Sequence, residues 1–468
     1  MADGDKKTLA IKTYLGQLPV KVQERLLKSV EAAAEAAPSP ETEVILKLLR
    51  EVVREKETQI QRYGTPMRGF WEFIDPLFVD APDNRKQTGR IPRSTLQPIW
   101  TWLNAELLPT HLPDLVDHAK KRLAEDDTQG SQALIAQAKS LLRPVLSRAI
   151  DMCRDNKQFR SGLAERLGGA NALAHLSDIW SALETEADID VFKEEFPGLI
   201  SSPSNAKIRS LLELVQPIVE AKPNHAHIYL ALVQPRFQNP AAALSLAVMA
   251  TDSDQADVLS SSPYAILGDL LLFEIALKAK AIVADLDGSK LDDQILDRVE
   301  ALVREMKSFQ AEVNLDPNHE WAEKLSDVRI QLCTVLSQEL LKVSKVARAL
   351  FAPLEQNPVV AMSAEKKTDF DVLMRLASAG DSVRSDLGLA DAALEATIKV
   401  EAILDQVGTS VVPKIRSANI DERELIMEYM YAAVDYVQVL QGQDAARVVR
   451  RLAEAAYSDS QTRDKTAA

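Results

Sequence analysis

The chain is poor in what a disulfide-bonded or β-rich protein needs: its 468 residues hold two cysteines, 16 glycines and 5% aromatic residues. Cys153 and Cys333 lie far apart inside apolar helical patterns, which excludes a disulfide scaffold and reads as reduced thiols buried as small hydrophobes. Scarce glycine and aromatic residues argue against a large sheet, whose strands take β-branched and aromatic side chains and whose turns take glycine. Long apolar runs are also missing. Tyr264 to Leu277, the longest, is broken by Asp269 and Glu274 and falls short of the roughly 20 residues that span a bilayer. The first residues, Met1 to Lys7, hold no apolar segment of the kind that marks a secretory signal. A cytoplasmic protein without a membrane span is the expectation.

What is present favours helix. Ala, Leu, Glu, Lys, Arg and Gln recur throughout, and these side chains lose little freedom in a helix. The hydrophobic share of 46% and charged share of 26% are those of a folded globular chain. The length exceeds what one hydrophobic core supports, so several domains or a helical array are expected. The net charge of −14 argues against nucleic acid as a partner, since phosphate binding is driven by counterion release at Lys and Arg.

The punctuation suggests helical units at 1–113, 114–200, 201–288 and 289–457, and a small polar tail at 458–468 expected to be disordered. In the first unit, Pro19 opens one helix and Ser39-Pro40-Glu41 the next. Gly168-Gly169 ends a helix and Asn171 could cap its successor. Ile228 to Val233 is either a strand or a short buried helix. Ile295, Val299, Leu302, Met306, Phe309 and Val313 form an a/d seam, and Trp321, Leu325, Val328, Leu332 and Val335 form a second. Joined by a short turn, the two predict a long antiparallel hairpin near 291–350, packed on neighbouring helices. The seam also fits a coiled-coil homo-oligomer. Beyond Glu365, breaks are expected at Gly380, Gly408 to Pro413 and Gly442. The fold class that follows is all-α, a multi-helix bundle or an irregular α-solenoid. Lys222-Pro223-Asn224-His225 and Asp316-Pro317-Asn318-His319 each precede a helix and resemble the short turn between tetratricopeptide repeats. No repeat period accompanies them, so they read as shared helix-start chemistry.

No motif names a reaction. Both phosphate-cradling glycine patterns are missing, so no nucleotide cofactor is expected. His225 and His227 lack the further ligands a zinc site needs, and His319 with Glu323 is no better. Asp285-Leu286-Asp287-Gly288 fails as a calcium loop because Val283 and Gln294 occupy its first and twelfth positions, and it reads instead as a turn between helices. Ser204 and Lys207 match a serine–lysine spacing found in penicillin-binding enzymes, without the other elements of that family.

The region of distinct texture is Tyr63 to Pro113, which carries seven of the 22 prolines and three of the five tryptophans. Trp71, Trp100 and Trp102 are interleaved there with Arg85, Lys86, Arg90 and Arg93. As a functional reading, Trp and Arg anchor protein interfaces; as a structural one, the rings are the core of a compact irregular unit. The four cations of the polar loop are expected to be exposed. The function expected is a non-catalytic scaffold, adaptor or regulator that binds other proteins. The alternatives are a helical enzyme with a site assembled from distant residues, and a polyanion binder using the 85–93 loop.

Overall fold

A computed structural model of the chain describes residues 26, 30, 46, 70–80, 86–125, 127–201, 203–288, 291–379 and 381–467. The helix starts expected at Pro19 and Ser39, Arg85 and the break at Gly380 lie outside them. The described chain is all-α. Helices α1 (Leu96–Trp102), α2 (His111–Ala124), α3 (Thr128–Asp155), α4 (Lys157–Leu167) and α5 (Ala170–Glu195) come first. Next are α6 (Asn205–Ala221), α7 (Ala226–Val233), α8 (Leu244–Thr251), α9 (Ala256–Ser260) and α10 (Ala265–Gly288). Then follow α11 (Asp293–Glu312), α12 (Glu320–Phe351), α13 (Ala364–Ala377), α14 (Asp381–Asp386), α15 (Ala390–Ser417), α16 (Ile420–Gln441) and α17 (Gln443–Ala467). The strands described, β1 (Phe78–Val79) and β2 (Ile91–Pro92), form one two-stranded parallel pair. Among the described residues, no helix is long and apolar enough to cross a membrane.

The chain divides into two compact units and passes between them more than once. Unit 1 takes residues 1–197 and 222–233, and unit 2 takes 198–221 and 234–468.

Unit 1 is organised around α5. Twelve of its residues are buried, apolar and polar alike, as suits a helix enclosed on most sides. Helices α3, α4 and α7 pack on it, as does the 3-10 turn Glu72–Leu77. The segment 228–233 is helical rather than extended, and every residue of it is buried. Such a helix holds its own backbone hydrogen bonds, which a lone strand in the core would leave unpaired. Gly168 and Gly169 end α4 with φ of 94° and 137°, a conformation glycine adopts without a Cβ clash. The cap expected at Asn171 is not formed: α5 starts at Ala170, with Gly169 in the cap position.

Unit 2 is organised around α10, the apolar run noted in the sequence. Asp269, one of the charges that interrupt it, has partners elsewhere in the chain: it accepts a hydrogen bond from Trp321 Nε1 at 2.9 Å and lies 3.7 Å from Lys324. Helices α10 and α11 run antiparallel, with Lys278 bonded to Glu305 and Asp285 to Arg298. The stretch from Asp285 to Gly288 is therefore the last turn of a helix, not the loop that follows it.

Every residue of the first seam is buried, and so are Trp321, Leu325, Val328 and Leu332 of the second. Val335 is only half-buried, and Leu336 continues the face in its place. The first seam packs chiefly on α10, and α12, which carries the second, packs on α10, α13 and α15 alike. Helices α11 and α12 touch near their connecting turn, where Arg329 donates to Gln310 at 2.9 Å. Helices α13 and α15 complete the surroundings of α12, and α16 and α17 pack on α15.

The break expected at Gly442 separates α16 from α17, but two other expectations fail here. Helix α15 runs through Gly408 and Pro413 because its buried face, Val407, Val411 and Ile415, is continuous, while Pro413 sits on the exposed side. The polar tail is helical to Ala467. Ser460 is buried there, bonding Ala456 O at 2.8 Å and Ile415 O at 3.4 Å.

Candidate functional site

The basic loop and the aromatic block lie in unit 1, and most of their groups are used internally. Lys86, expected at the surface, reaches Asp178 on α5 as an ion pair whose side chains are 19% and 7% exposed. Gly89 N–H donates to the same carboxylate at 3.2 Å. Arg90, also expected to be exposed, is 4% exposed and donates to Gly89 O at 2.9 Å. Burying a cation is costly unless it is paired, and Lys86 meets that demand by folding onto the carboxylate of the helix beneath. Arg93 remains at the surface, bonded to Asp80 at 3.0 Å, near Asp75 at 3.6 Å, and lying over the Phe78 ring. Trp71 is buried and Trp100 half-buried, their ring centroids 5.9 Å apart, with Phe70 against both. These rings form a core cluster. Trp102 is buried too, and forms part of the floor of a cleft.

Around Asp178 the fold gathers three of the six histidines. His175 precedes Asp178 by three residues on α5, and its buried Nδ1 has no hydrogen-bond partner. His227 belongs to α7 and is close enough to Asp178 to feel its charge. His225, just before α7, hydrogen-bonds Ser181 Oγ through Nδ1 at 3.0 Å and meets the Trp180 ring edge-on at 4.7 Å. Lys222 ties the same approach to α5, through Glu184 O at 2.8 Å and Asp188 at 2.7 Å. Burial lowers the His175 imidazole to about 4, with the Lys86 ammonium acting in the same direction. It also lowers His225 and His227. The Asp178 carboxyl is raised by burial, against the opposing pull of Lys86, His227 and Gly89 N–H. No group of three or more His, Cys, Asp or Glu among the described residues is arranged to hold a metal ion. The cluster is a packed polar joint that fastens the 86–90 loop and the approach to α7 onto α5.

A cleft of about 480 Å³ opens in unit 1 between α1, α3 and α4. Asn156 ends α3 and caps α4, its Oδ1 accepting from Gln158 N at 2.9 Å and Phe159 N at 3.0 Å, so the two helices diverge from a fixed corner. Opposite them, α1 continues into a π-helical turn, Leu103–Leu107. Such turns re-aim side chains and recur at functional sites. The floor is Trp102, Ala149 and Leu163, at 6%, 5% and 3% exposure. Leu107, Val145, Phe159 and Met152 form the walls, and Met152 is 44% exposed. Gly162 lines the cleft at a point where an added Cβ would meet no atom within 4 Å, so a larger side chain has room there. On the rim, Arg166 is paired with Glu106, whereas Arg148 has no acidic partner among the described residues.

The proline- and tryptophan-rich block supplies one wall of this cleft, through Trp102 and the turn that follows. The residues opposite, from Val145 to Arg166, were not singled out in the sequence, because ordinary helical periodicity hides which positions face a void. The His175–Asp178 pair did leave a trace. His175, Asp178, Ser181 and Thr185 step by three, three and four along a helix otherwise rich in apolar residues. Comparison of the chain with protein-family models, with curated proteins and with solved structures finds no match in any of the three.

Proposed function

We propose that the chain is a non-catalytic helical protein that binds other polypeptides, with the α1–α3–α4 cleft of unit 1 as a docking surface. The observation that supports this reading is the separation of chemistry from access. In unit 1, His175, Asp178, His225 and His227, whose proton affinity is shifted, belong to a packed joint, whereas the cleft has an apolar floor, a flexible methionine and a guanidinium on its rim. An apolar recess edged by a few polar anchors suits side-chain capture, and thioether side chains adapt to varied contacts. A catalytic pocket would need convergent ionisable groups. The described cations of the 85–93 loop lend no support to polyanion binding, since Lys86 and Arg93 are engaged with Asp178, Asp75 and Asp80.

The test is site-specific photocrosslinking in extracts of the source cells, with a photoreactive residue in place of Met152. A discrete crosslinked polypeptide is expected, and it should disappear when Gly162→Leu fills the cleft. If no polypeptide is crosslinked, or if the same one is captured with the cleft filled, this function is wrong.

A further inference from the structure

We infer that the cleft selects an acidic amphipathic peptide segment: a large apolar side chain seated on Trp102, Ala149 and Leu163, with a neighbouring carboxylate bonded to Arg148. The inference rests on the binding reading above and adds the chemistry of the partner.

The case is one of charge and shape together. Three charged groups line the cleft, Arg148, Arg166 and Glu106. Glu106 is held by Arg166, which leaves Arg148 as the rim charge free to bond a ligand. The surrounding helices have the same sign. From residue 148 to 166 there are five basic residues (Arg148, Arg154, Lys157, Arg160 and Arg166) against three acidic ones (Asp151, Asp155 and Glu165), in a chain whose net charge is −14. Beyond a Debye length of about 8 Å the rest of that charge is screened at physiological salt, so a ligand in the cleft responds to the local cations. A carboxylate also suits a guanidinium in geometry, through two parallel N–H···O bonds.

The floor sets the other half of the requirement. Trp102 is 6% exposed and Leu163 3%, and Phe159 on the wall is half-buried, so the recess offers apolar contact and no more than one ring face on which a base could stack. Nucleic-acid binding draws on several phosphate contacts and on open aromatic faces. One unpaired arginine above an aliphatic and indole floor fits a peptide side chain better.

The experiment uses the full chain and a display library of random linear peptides, selected on the parent protein and counter-selected on Gly162→Leu. Cleft-dependent peptides are expected to carry Asp or Glu within one helical turn of a large apolar residue. A synthetic representative should lose about ten-fold in affinity on Arg148→Glu, the loss of one charge-assisted contact, and less on Arg148→Ala. Changing its acidic residue to Lys should weaken binding to the parent and restore binding to Arg148→Glu. Melting curves verify that the variants fold, and Arg148→Ala serves as the probe if the reversal does not. Cleft-dependent peptides that are neutral or basic, or indifferent to both Arg148 variants, would overturn the acidic assignment and leave the peptide-binding function standing. Absence of any peptide sensitive to Gly162→Leu would overturn both. Preferential binding of a mixed-sequence single-stranded DNA, lost on Gly162→Leu, would replace the peptide with a nucleic acid.

Discussion

The same substitution at two helical glycines should move stability in opposite directions, and the difference isolates packing from helix propensity. Gly162 lies in the middle of α4, where an added Cβ meets nothing within 4 Å. Gly268 lies in α10, where that Cβ would fall 2.6 Å and 2.7 Å from two carbons of the Trp321 ring. Carbon atoms at rest sit about 3.5–4.0 Å apart, so something must shift by close to an ångström. Trp321 has little room to retreat. It is 2% exposed, its Nε1 is bonded to Asp269 at 2.9 Å, and its ring packs edge-on against Phe309 at 5.7 Å. Replacing glycine by alanine inside a helix gains up to about 1 kcal/mol, whereas overpacking a filled core costs about 1–3 kcal/mol. Gly268 is in the first turns of α10, where the propensity gain is smaller than in mid-helix. Gly162→Ala should therefore stabilise by up to about 1 kcal/mol, and Gly268→Ala should destabilise by about 1–2 kcal/mol. Urea unfolding followed by far-ultraviolet circular dichroism measures both. If Gly268→Ala is as stable as the parent, or the two variants shift together, the close approach of Trp321 to α10 is not as described.

Two further outcomes concern the joint beneath the 86–90 loop. Lys86→Met strands the Asp178 carboxylate in the interior and should cost about 3–5 kcal/mol, whereas Lys86→Met with Asp178→Leu removes both charges and should cost less than the single change. Additive losses in that double-mutant cycle would show the two groups to be independent. The histidines give stability a pH dependence whose sign follows from their lowered proton affinity. Below about 6.5, the ordinary histidine value, the unfolded chain binds protons that the folded chain refuses, so stability falls as pH drops toward the His175 value of about 4 and then levels. Asp178 opposes this: its raised carboxyl takes up a proton in the folded state before the unfolded one does, which moderates the fall. The denaturation midpoint of His175→Gln, followed from pH 6.5 downward, should have a shallower slope than the parent, and superimposable profiles would remove His175 from the account.

What could be read from the sequence was what neighbouring residues settle among themselves. The steps of three and four from Ile295 to Val313 define a buried face whatever it packs on, and all six residues are buried. Where the outcome depended on a distant partner, local rules misled. Proline and glycine favour a break at 408–413, but a buried stripe carried by Val407, Val411 and Ile415 outweighs the one hydrogen bond lost at an exposed Pro413. The polar residues after Tyr457 suggest fraying, yet Ser460 finds Ile415 O 45 residues away. Lys86 and Asp178 are separated by 92 positions, so neither could be assigned a partner from spacing. The cleft is harder still, because its floor and rim come from three helices whose residues each satisfy an ordinary amphipathic pattern. Polar residues on an apolar helix are the exception. A His, Asp, Ser and Thr stepping by three, three and four among Leu, Ile and Ala point to a buried polar face, and on it Asp178 meets Lys86 and Gly89 while Ser181 meets His225. The same reasoning applies to Asp269 in the long apolar run of α10, whose partner, Trp321, waits 52 residues downstream.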